Sequence, residues 1–331
     1  MKFLFIGGTG LISSACSELA VQRGHELFLL NRSESKKYPA PKDSTVWQAD
    51  IYADSSQVAD LIASHHFDAV VDFIAFSPQD IERDISLFRN KTDQFVFISS
   101  ASAYQKPVKN YLITEETPLE NPYWEYSRNK IACENLLMNE YRNNGFPVTI
   151  IRPSHTYGPS QIPLCTGSWL HPWTLVDRMK RGEKVIVPGD GMSLWVLTWH
   201  DDFAVGLVGL LGNPKATGEA FQITSDEVLT WDQIYLEAYQ ALGLIPNAVH
   251  IPSDFIAKFD EHAIGSLIGD KSNSVVFDNS KIKRFVPEYT CKVKWSEGIQ
   301  RSLAWFETHP EFQTIDDEAN KLWDKILEAY L

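Results

Sequence analysis

Residues 2–13 read KFLFIGGTGLIS and join a short apolar run to a glycine-rich loop. The run Lys2–Ile6 predicts a buried strand, and Leu11–Arg23 has the apolar spacing of a helix that Gly24 ends. A glycine-rich turn between a strand and a helix allows backbone N–H groups and the helix N-terminus to face a pyrophosphate. The loop Gly7–Gly10 therefore predicts a dinucleotide site, with an ordinary strand-to-helix turn as the alternative.

The start of the predicted helix is expected to complete this phosphate site. At the position where a third glycine allows a helix and a strand to pack closely, the chain has Ser13, so we expect a looser fit there. The residues expected to contact the cofactor in this segment are Gly7, Gly8, Thr9, Gly10, Leu11 and Ile12.

Strand and helix signals then alternate through the first half of the chain. Further strands are predicted at Leu27–Leu30, Val46–Gln48, Ala69–Ala75, Phe95–Ser99 and Val148–Arg152, and further helices near Ile81–Phe88 and at Tyr126–Asn143. Short buried strands that alternate with helices pair in parallel through right-handed crossovers. The predicted class is α/β, with a doubly wound parallel sheet.

The alternation stops after Pro153, where the chain becomes rich in proline, glycine and tryptophan. Leu194–Thr198 and Ala220–Thr224 are expected to return to the sheet, and the chain from Thr230 onward is expected to form a smaller mixed domain. The predicted division gives residues 1–159 and about 194–225 to a nucleotide-binding domain, and residues 160–193 and 226–331 to a substrate domain.

Composition excludes several functional classes. The chain has 331 residues, of which 44% are apolar and 22% are charged, as in a soluble globular protein. A formal charge of −13 disfavours nucleic-acid binding. The longest apolar runs, such as Phe203–Leu211, are shorter than the roughly 20 residues that cross a bilayer. We therefore expect a small-molecule partner, and neither a nucleic acid nor a membrane.

The cysteines indicate the compartment. They are Cys16, Cys133, Cys165 and Cys291. Because they lie far apart and form no C-x-x-C pair, we expect a reduced cytoplasmic protein without a metal site.

The end of the second strand bears on the type of cofactor. An acidic residue there would bind the adenosine ribose and repel a 2′-phosphate, but the chain has Asn31-Arg32-Ser33. Arg32 is expected to pair with a phosphate or stack on adenine, with a solvated loop residue as the alternative. This favours NADP, with NAD as the alternative. Asp50 and Ile51 follow the third strand, where Asp50 is expected to bind the adenine amino group or to cap a helix.

Tyr126 and Lys130 are four residues apart on a predicted helix and therefore share one face. A free tyrosine has a pKa of about 10 and is a poor base at neutral pH. A nearby ammonium and the charge of an oxidised nicotinamide would favour the phenolate. Tyr126 is then expected to move a proton at a substrate oxygen while hydride moves at carbon, and Lys130 to hold the nicotinamide ribose.

The segment Ser99–Tyr104 follows the fifth strand. In an open parallel sheet, ligands bind at the carboxyl ends of the strands. A hydroxyl from this segment is therefore expected to hydrogen-bond the reacting oxygen.

Together these motifs resemble the extended short-chain dehydrogenase/reductases of the NAD(P)-dependent epimerase/dehydratase family. The resemblance implies a Rossmann domain, a small C-terminal substrate domain, a tightly bound nicotinamide cofactor and often a homodimer. It places Ser100 at the active-site serine and Tyr126 with Lys130 at the catalytic pair. Further cofactor contacts are expected at Ala75, Ser99, Tyr126, Lys130, Pro153 and His155.

The chain departs from the family pattern in its substrate region. Trp195 stands where members that act on nucleotide sugars carry an arginine, so a UDP-sugar substrate is not expected. Ser102, His155 and Trp195 are expected to contact a substrate with an apolar or sugar-like face. Four more tryptophans are expected either on the cleft or in the core: Trp124, Trp169, Trp173 and Trp199.

Two hypotheses follow. The first is a reductase, epimerase or dehydratase for a small carbonyl or hydroxyl compound, in which Ser100 polarises the substrate oxygen, Tyr126 is the acid/base, and Lys130 orients the ribose and lowers the pKa of Tyr126. The second is a non-catalytic NAD(P)-binding regulatory or RNA-binding protein on the same fold.

Overall fold

The computed structural model describes residues 1–32 and 37–331, so Ser33 lies outside the described residues. The strands are β1 Lys2–Ile6, β2 Glu26–Asn31, β3 Ser44–Gln48, β4 Ala69–Asp72, β5 Phe95–Ile98, β6 Leu112–Ile113, β7 Val148–Pro153, β8 His155–Tyr157, β9 Val185–Pro188, β10 Leu194–Trp195, β11 Leu197–Trp199, β12 Ala220–Ile223, β13 Leu229–Thr230, β14 Ala248–Ile251 and β15 Val276–Phe277.

Helices connect and cover these strands. The helices are α1 Leu11–Gln22, α2 Ser55–Ile62, α3 Pro78–Phe88, α4 Glu125–Asn144, α5 Trp173–Lys180, α6 His200–Leu210, α7 Trp231–Ala241, α8 Ser253–Ile256, α9 Ser280–Phe285, α10 Trp295–Thr308 and α11 Asp317–Tyr330. Short 3₁₀ turns lie at Ala101–Ala103, Pro214–Ala216 and Pro310–Phe312, and Ile264–Lys271 is π-helical.

The central sheet has seven parallel strands within the described ranges, in the order β3-β2-β1-β4-β5-β7-β12. The strand order reverses between β1 and β4, which creates a crevice at their carboxyl ends. Phe3 and Phe5 of β1 pack with α1 and α6, whereas Leu4 and Ile6 pack with α2, α3 and α4 on the opposite face. The predicted α/β doubly wound sheet is confirmed.

One predicted strand does not join this sheet. β12 pairs with β7 as expected, but β10 pairs antiparallel with β13 and β11 pairs with β8. The expectation that Leu194–Thr198 returns to the sheet is therefore wrong. The reason is aromatic packing, since the Trp195 ring stacks on Trp231 with centroids 5.6 Å apart, in a core built mainly from the second half of the chain. The proposed division into two domains stays a prediction.

Candidate active site

Two positions in the loop after β1 accept only glycine. Gly7 has a φ of +81°, and a Cβ at Gly8 would lie 2.5 Å from the side chain of Leu29. Helix α1 begins directly after Gly10 with no side-chain cap and no acidic residue in its first turn. A helix N-terminus of this kind binds an anion through its N–H groups.

Ser13 holds this loop together. Its hydroxyl donates to the carbonyl of Gly7 at 2.6 Å and accepts from the N–H of Gly10 at 2.8 Å. The looser packing of helix and strand expected at Ser13 stays a prediction, whereas its hydroxyl closes the loop where a glycine would leave it unbonded.

A cleft of about 360 Å³ lies beside the loop, at the switch point of the sheet. It is lined by Gly7, Thr9, Gly10, Leu30, Asn31, Arg32, Ala49, Asp50, Ile51, Tyr52, Ile74 and Phe76. The side chain of Asn31 faces the loop and accepts a 2.9 Å hydrogen bond from the N–H of Gly8. Asp50 accepts from the N–H of Tyr52 in a turn, whereas Asp54 caps α2, so the alternative role of Asp50 as a helix cap is wrong.

These features fit a nicotinamide dinucleotide. The uncapped N-terminus of α1 suits the pyrophosphate, and the cleft beyond it has room for the adenosine half. Residues available to hold the group include Thr9, Gly10, Arg32 and Asp50.

A second cavity, of about 560 Å³, adjoins the first, and Phe76 lines both. It is lined by Phe76, Ser100, Ala101, Ser102, Lys106, Trp124, Tyr126, Pro153, Ser154, His155, Trp169, Trp195, His262, Ser266, Asp270, Lys271, Val275 and Phe277. The structure thus brings Ser100, Ser102, Tyr126, His155 and Trp195 to one cavity, although they come from four separate parts of the chain.

A series of hydroxyl groups runs along one wall of this cavity. Tyr126 lines the cavity beside Ser100, whose hydroxyl oxygen lies 2.9 Å from that of Ser102. Ser127 donates to Ser102 at 2.8 Å, and the Asn121 amide donates to the carbonyl of Ser102 at 2.9 Å. The series holds the Ser100 and Tyr126 oxygens in fixed positions beside the cavity.

The pKa of Tyr126 is set by this environment. Burial raises its pKa, the hydrogen bond to Ser100 lowers it, and the negative charge of Asp270 raises it. The expected lowering by Lys130 is not found, because the ammonium is turned toward the main-chain carbonyls of Ala75 and Ile98 at 2.7 and 2.8 Å. Burial lowers the pKa of Lys130 itself to about 8.

Several other predicted residues have structural contacts. The Ser99 hydroxyl donates to Glu134 in the core and does not face the cleft. Trp173 and Trp199 are buried and pack against Phe306 and Tyr157, whereas Trp124 and Trp169 line the cavity. The cofactor contact expected at Ser99 stays a prediction, which its main chain alone could fulfil, and Trp173 and Trp199 take the core alternative.

The remaining cofactor predictions are placed as follows. Leu11 accepts a hydrogen bond from His200 through its carbonyl, Ile12 packs against the core, Ala75 is buried beside Lys130, and Pro153 lines the second cavity.

Two ring systems in the cavity carry polar atoms without partners among the described residues. These atoms are both ring nitrogens of His155 and Nε1 of Trp195. Burial, with the charge of Lys271, lowers the pKa of His155 to about 3, so its imidazole is neutral. Buried nitrogens without partners are costly unless a ligand or water bonds them.

The sequence analysis missed Lys106, Asp270 and Lys271, which form another wall of the cavity. They carry no motif and meet only through tertiary packing. Gly265 and Gly269 mark a close approach of two segments. A Cβ at Gly265 would lie 2.4 Å from the side chain of Trp124, and a Cβ at Gly269 would lie 2.7 Å from that of Tyr123. This close approach brings the π-helical segment over the start of α4.

The fold and the two adjoining clefts define a dinucleotide-binding α/β protein. The chain matches the model of the NAD dependent epimerase/dehydratase family over residues 3–224. It belongs to this family, and this membership makes it an enzyme of a NAD-dependent class.

Two curated relatives show the range of functions around it. One is the chloroplast stem-loop binding protein of 41 kDa b from Arabidopsis thaliana, 28% identical over 77% of this chain and 67% of that protein. Another is 2′-dehydrokanamycin reductase from Streptomyces kanamyceticus, 26% identical over 69% of this chain and 63% of that protein. The chain thus spans about two thirds of the length of both relatives.

A solved structure shares the fold. The dTDP-glucose 4,6-dehydratase DesIV from Streptomyces venezuelae, solved with NAD and TYD bound, superimposes with a TM-score of 0.75 at 21% identity, covering 94% of this chain and 98% of that one. In the part of the chain that the structure describes, no helix is long and apolar enough to cross a membrane. The same residues contain no cluster of metal-ligating side chains.

Proposed function

We propose that the protein transfers hydride between a nicotinamide cofactor and a carbinol or carbonyl carbon of a small molecule, with Tyr126 as the acid/base. The observation that supports this proposal is the placement of Tyr126 and Ser100 together on the wall of a cavity that adjoins the dinucleotide cleft. The proposed reacting group is a substrate oxygen, which can hydrogen-bond the hydroxyl groups on this wall of the cavity.

Each residue has a distinct role in this proposal. Tyr126 gives or takes a proton at its phenolic oxygen, and Ser100 hydrogen-bonds the same substrate oxygen. When bound, the nicotinamide supplies or accepts the hydride. Lys130 uses two of its donors on Ala75 and Ile98, so that its third N–H is available for the ribose hydroxyls.

The proposed cofactor is NADP, with NAD as the alternative. An acidic residue at the end of β2 would repel a 2′-phosphate. This chain has the uncharged Asn31 there, and its side chain accepts a hydrogen bond from the glycine loop. Arg32 follows directly and lines the adenosine cleft. A guanidinium at this position favours a phosphate over a bare ribose hydroxyl.

The proposed substrate is a small molecule with a sugar-like face, and not a nucleotide sugar. Trp124, Trp169 and Trp195 supply flat apolar walls to the cavity. An indole cannot replace a bidentate arginine for binding a diphosphate.

A second candidate function is the binding of an RNA stem-loop. It is favoured by the name of the Arabidopsis relative. The formal charge of −13 opposes it, because phosphate binding depends on clustered basic residues. The proposed location is the cytoplasm, since all four cysteines are free thiols. A homodimer remains a prediction.

The proposal is tested by incubating the protein with NADPH and a panel of small aldehydes, ketones and keto sugars. A reductase oxidises NADPH, and its absorbance at 340 nm falls. An epimerase or dehydratase returns the hydride, so mass spectrometry and chromatography of sugars incubated with NADP⁺ or NAD⁺ complete the screen. A wild-type protein that turns over no compound while it binds RNA in a salt-sensitive manner would support the second candidate.

A further inference from the structure

Two lysines and one aspartate form a cluster in the second cavity that the proposed proton transfer does not use. The ammonium of Lys106 lies 3.6 Å from one carboxylate oxygen of Asp270, and that of Lys271 lies 3.9 Å from the other. All three side chains line the cavity and are largely buried. The exposed fraction is 2% for Lys106, 14% for Lys271 and 12% for Asp270. Strong charged hydrogen bonds are about 2.7–2.9 Å long, so the carboxylate holds neither ammonium tightly.

The cluster has an excess of positive charge. Among the described residues that line the cavity, Asp270 is the only acidic side chain, and it faces both lysines. Counted over Lys, Arg, Asp and Glu, the lining has a net charge of +1 in a chain whose formal charge is −13. Lys271 also donates to the main-chain carbonyl of Ser266 at 3.3 Å, so Lys106 is the cation with the weaker set of partners. Burial lowers the pKa of Lys106, and Asp270 opposes this shift only in part. An anion in the cavity would remove this penalty.

Neutral polar groups stand in the same cavity. Nε1 of Trp195 and the ring nitrogens of His155 have no hydrogen-bond partner within the described chain. An indole N–H is a donor only, and a neutral imidazole offers one donor and one acceptor. The lysines therefore supply charge to the cavity, and its lining also contains polar ring groups whose hydrogen-bonding capacity is unused.

We propose that Lys106 and Lys271 bind a carboxylate or phosphate ester on the small substrate of Tyr126. This assignment rests on the proposed function above and narrows its substrate class to anionic hydroxy or keto compounds. Asp270 keeps the two ammonium groups in place and limits the excess charge. The ammonium of Lys271 also lies 5.8 Å from the ring centre of Trp124, so the anionic group would bind beside an aromatic wall.

The test compares probes that differ in their charged group. Glucuronate, glucose 6-phosphate and glucose are titrated calorimetrically into the protein saturated with NADP⁺. At least one anionic probe is expected to bind tenfold or more tightly than glucose. Lys106→Met and Lys271→Met should each remove most of this preference, whereas Asp270→Asn should strengthen it. Lys109→Met, an exposed lysine nearby in the chain, is the matched control and should leave it unchanged.

The outcomes separate the possibilities. Preference for glucuronate alone assigns a carboxylate, and preference for glucose 6-phosphate alone assigns a phosphate ester; both support the proposal. Equal binding of charged and neutral probes, an anionic preference that survives both lysine substitutions, or no binding of any anionic probe would overturn it. If the lysine variants unfold at lower temperature, the opposite effect expected of Asp270→Asn still decides the question.

Failure of the proposed function gives a different result. If the wild-type protein binds no nicotinamide cofactor, the proposed function fails, and the same probes are titrated without cofactor to test the anion site by itself.

Discussion

The ammonium of Lys130 donates a 2.7 Å hydrogen bond to the main-chain carbonyl of Ala75, which follows the strand at the switch point of the sheet. A second bond, of 2.8 Å, goes to Ile98 at the end of β5. One buried side chain on α4 thus joins two neighbouring strand ends at the edge where the two clefts meet. Lys130 positions the floor of the site whether or not it contacts a ribose.

The burial of Lys130 has a measurable effect on stability. Its pKa falls from 10.5 to about 8 on folding, so the unfolded chain binds more protons between these values. The free-energy cost of burying the charged ammonium of Lys130 is fully present below pH 8. This cost decreases as the pH rises toward 10.5. Relative to Lys130→Met, the wild type should therefore gain roughly 2 kcal/mol of unfolding free energy between pH 7 and pH 10.

Urea denaturation of both proteins across this pH range measures the difference. The unfolding free energy of Lys109→Met, a substitution at an exposed position, should show the same pH dependence as that of the wild type. A constant difference between the wild type and Lys130→Met would show that Lys130 titrates as it does in the unfolded chain.

Tyr126→Phe should lower kcat by about 10²-fold or more, because the phenol that exchanges the proton is removed. The dissociation constant of the cofactor should change little, since the ring remains. Tyr123→Phe, an exposed tyrosine just before the same helix, is the control and should retain full turnover. Turnover of the best substrate from the screen gives the comparison, and equal rates for the two variants would exclude Tyr126 as the acid/base.

Neighbouring serines should separate catalysis from stability. Ser100→Ala removes the hydroxyl beside Tyr126 and should lower kcat by about 10-fold or more, with a stability loss of about 1 kcal/mol because Ser100 also accepts from the Ser102 N–H. Ser99→Ala removes a buried donor to Glu134, which is ion-paired with Arg152, and should cost about 1 kcal/mol of stability with little effect on kcat. Steady-state kinetics and thermal unfolding of both variants test this contrast, and interchanged effects would contradict it.

Much of the central sheet and its glycine loop could be predicted from the sequence, because their signals are local. The run Lys2–Ile6 and the glycines after it predict a strand, a turn and a helix by periodicity and backbone freedom alone. The apolar run Leu194–Thr198 has the same strand-like pattern, but its partners are chosen by aromatic packing with Trp231. Periodicity predicts that a strand forms and does not predict its neighbour.

The lining of the second cavity was less predictable for a related reason. Lys106 and the pair Asp270–Lys271 are far apart in the chain and carry no fixed spacing, so only the folded structure shows that they meet. Ser13 is a different case, since the glycine pattern by itself does not predict that a serine hydroxyl closes the loop through two hydrogen bonds.

Arg32→Ala should distinguish the two cofactors. If Arg32 binds the 2′-phosphate, the variant should bind NADP⁺ about tenfold more weakly, with little change for NAD⁺. Calorimetric titration measures both constants, and Arg142→Ala, on the exposed surface of α4, serves as the control. An equal loss for both cofactors would assign Arg32 to a contact that they share, such as stacking on adenine.

The most direct test of the whole account is a calorimetric titration of the wild-type protein, stripped of nucleotide, with NADP⁺ and with NAD⁺. The account predicts saturable binding at one site per chain, tighter for NADP⁺, and loss of both in Gly10→Asp, which puts a carboxylate at the N-terminus of α1. Tighter binding of NAD⁺ would overturn the assignment of Arg32 and leave the enzyme intact. Binding of neither nucleotide would contradict the central claim that this cleft holds the cofactor for Tyr126.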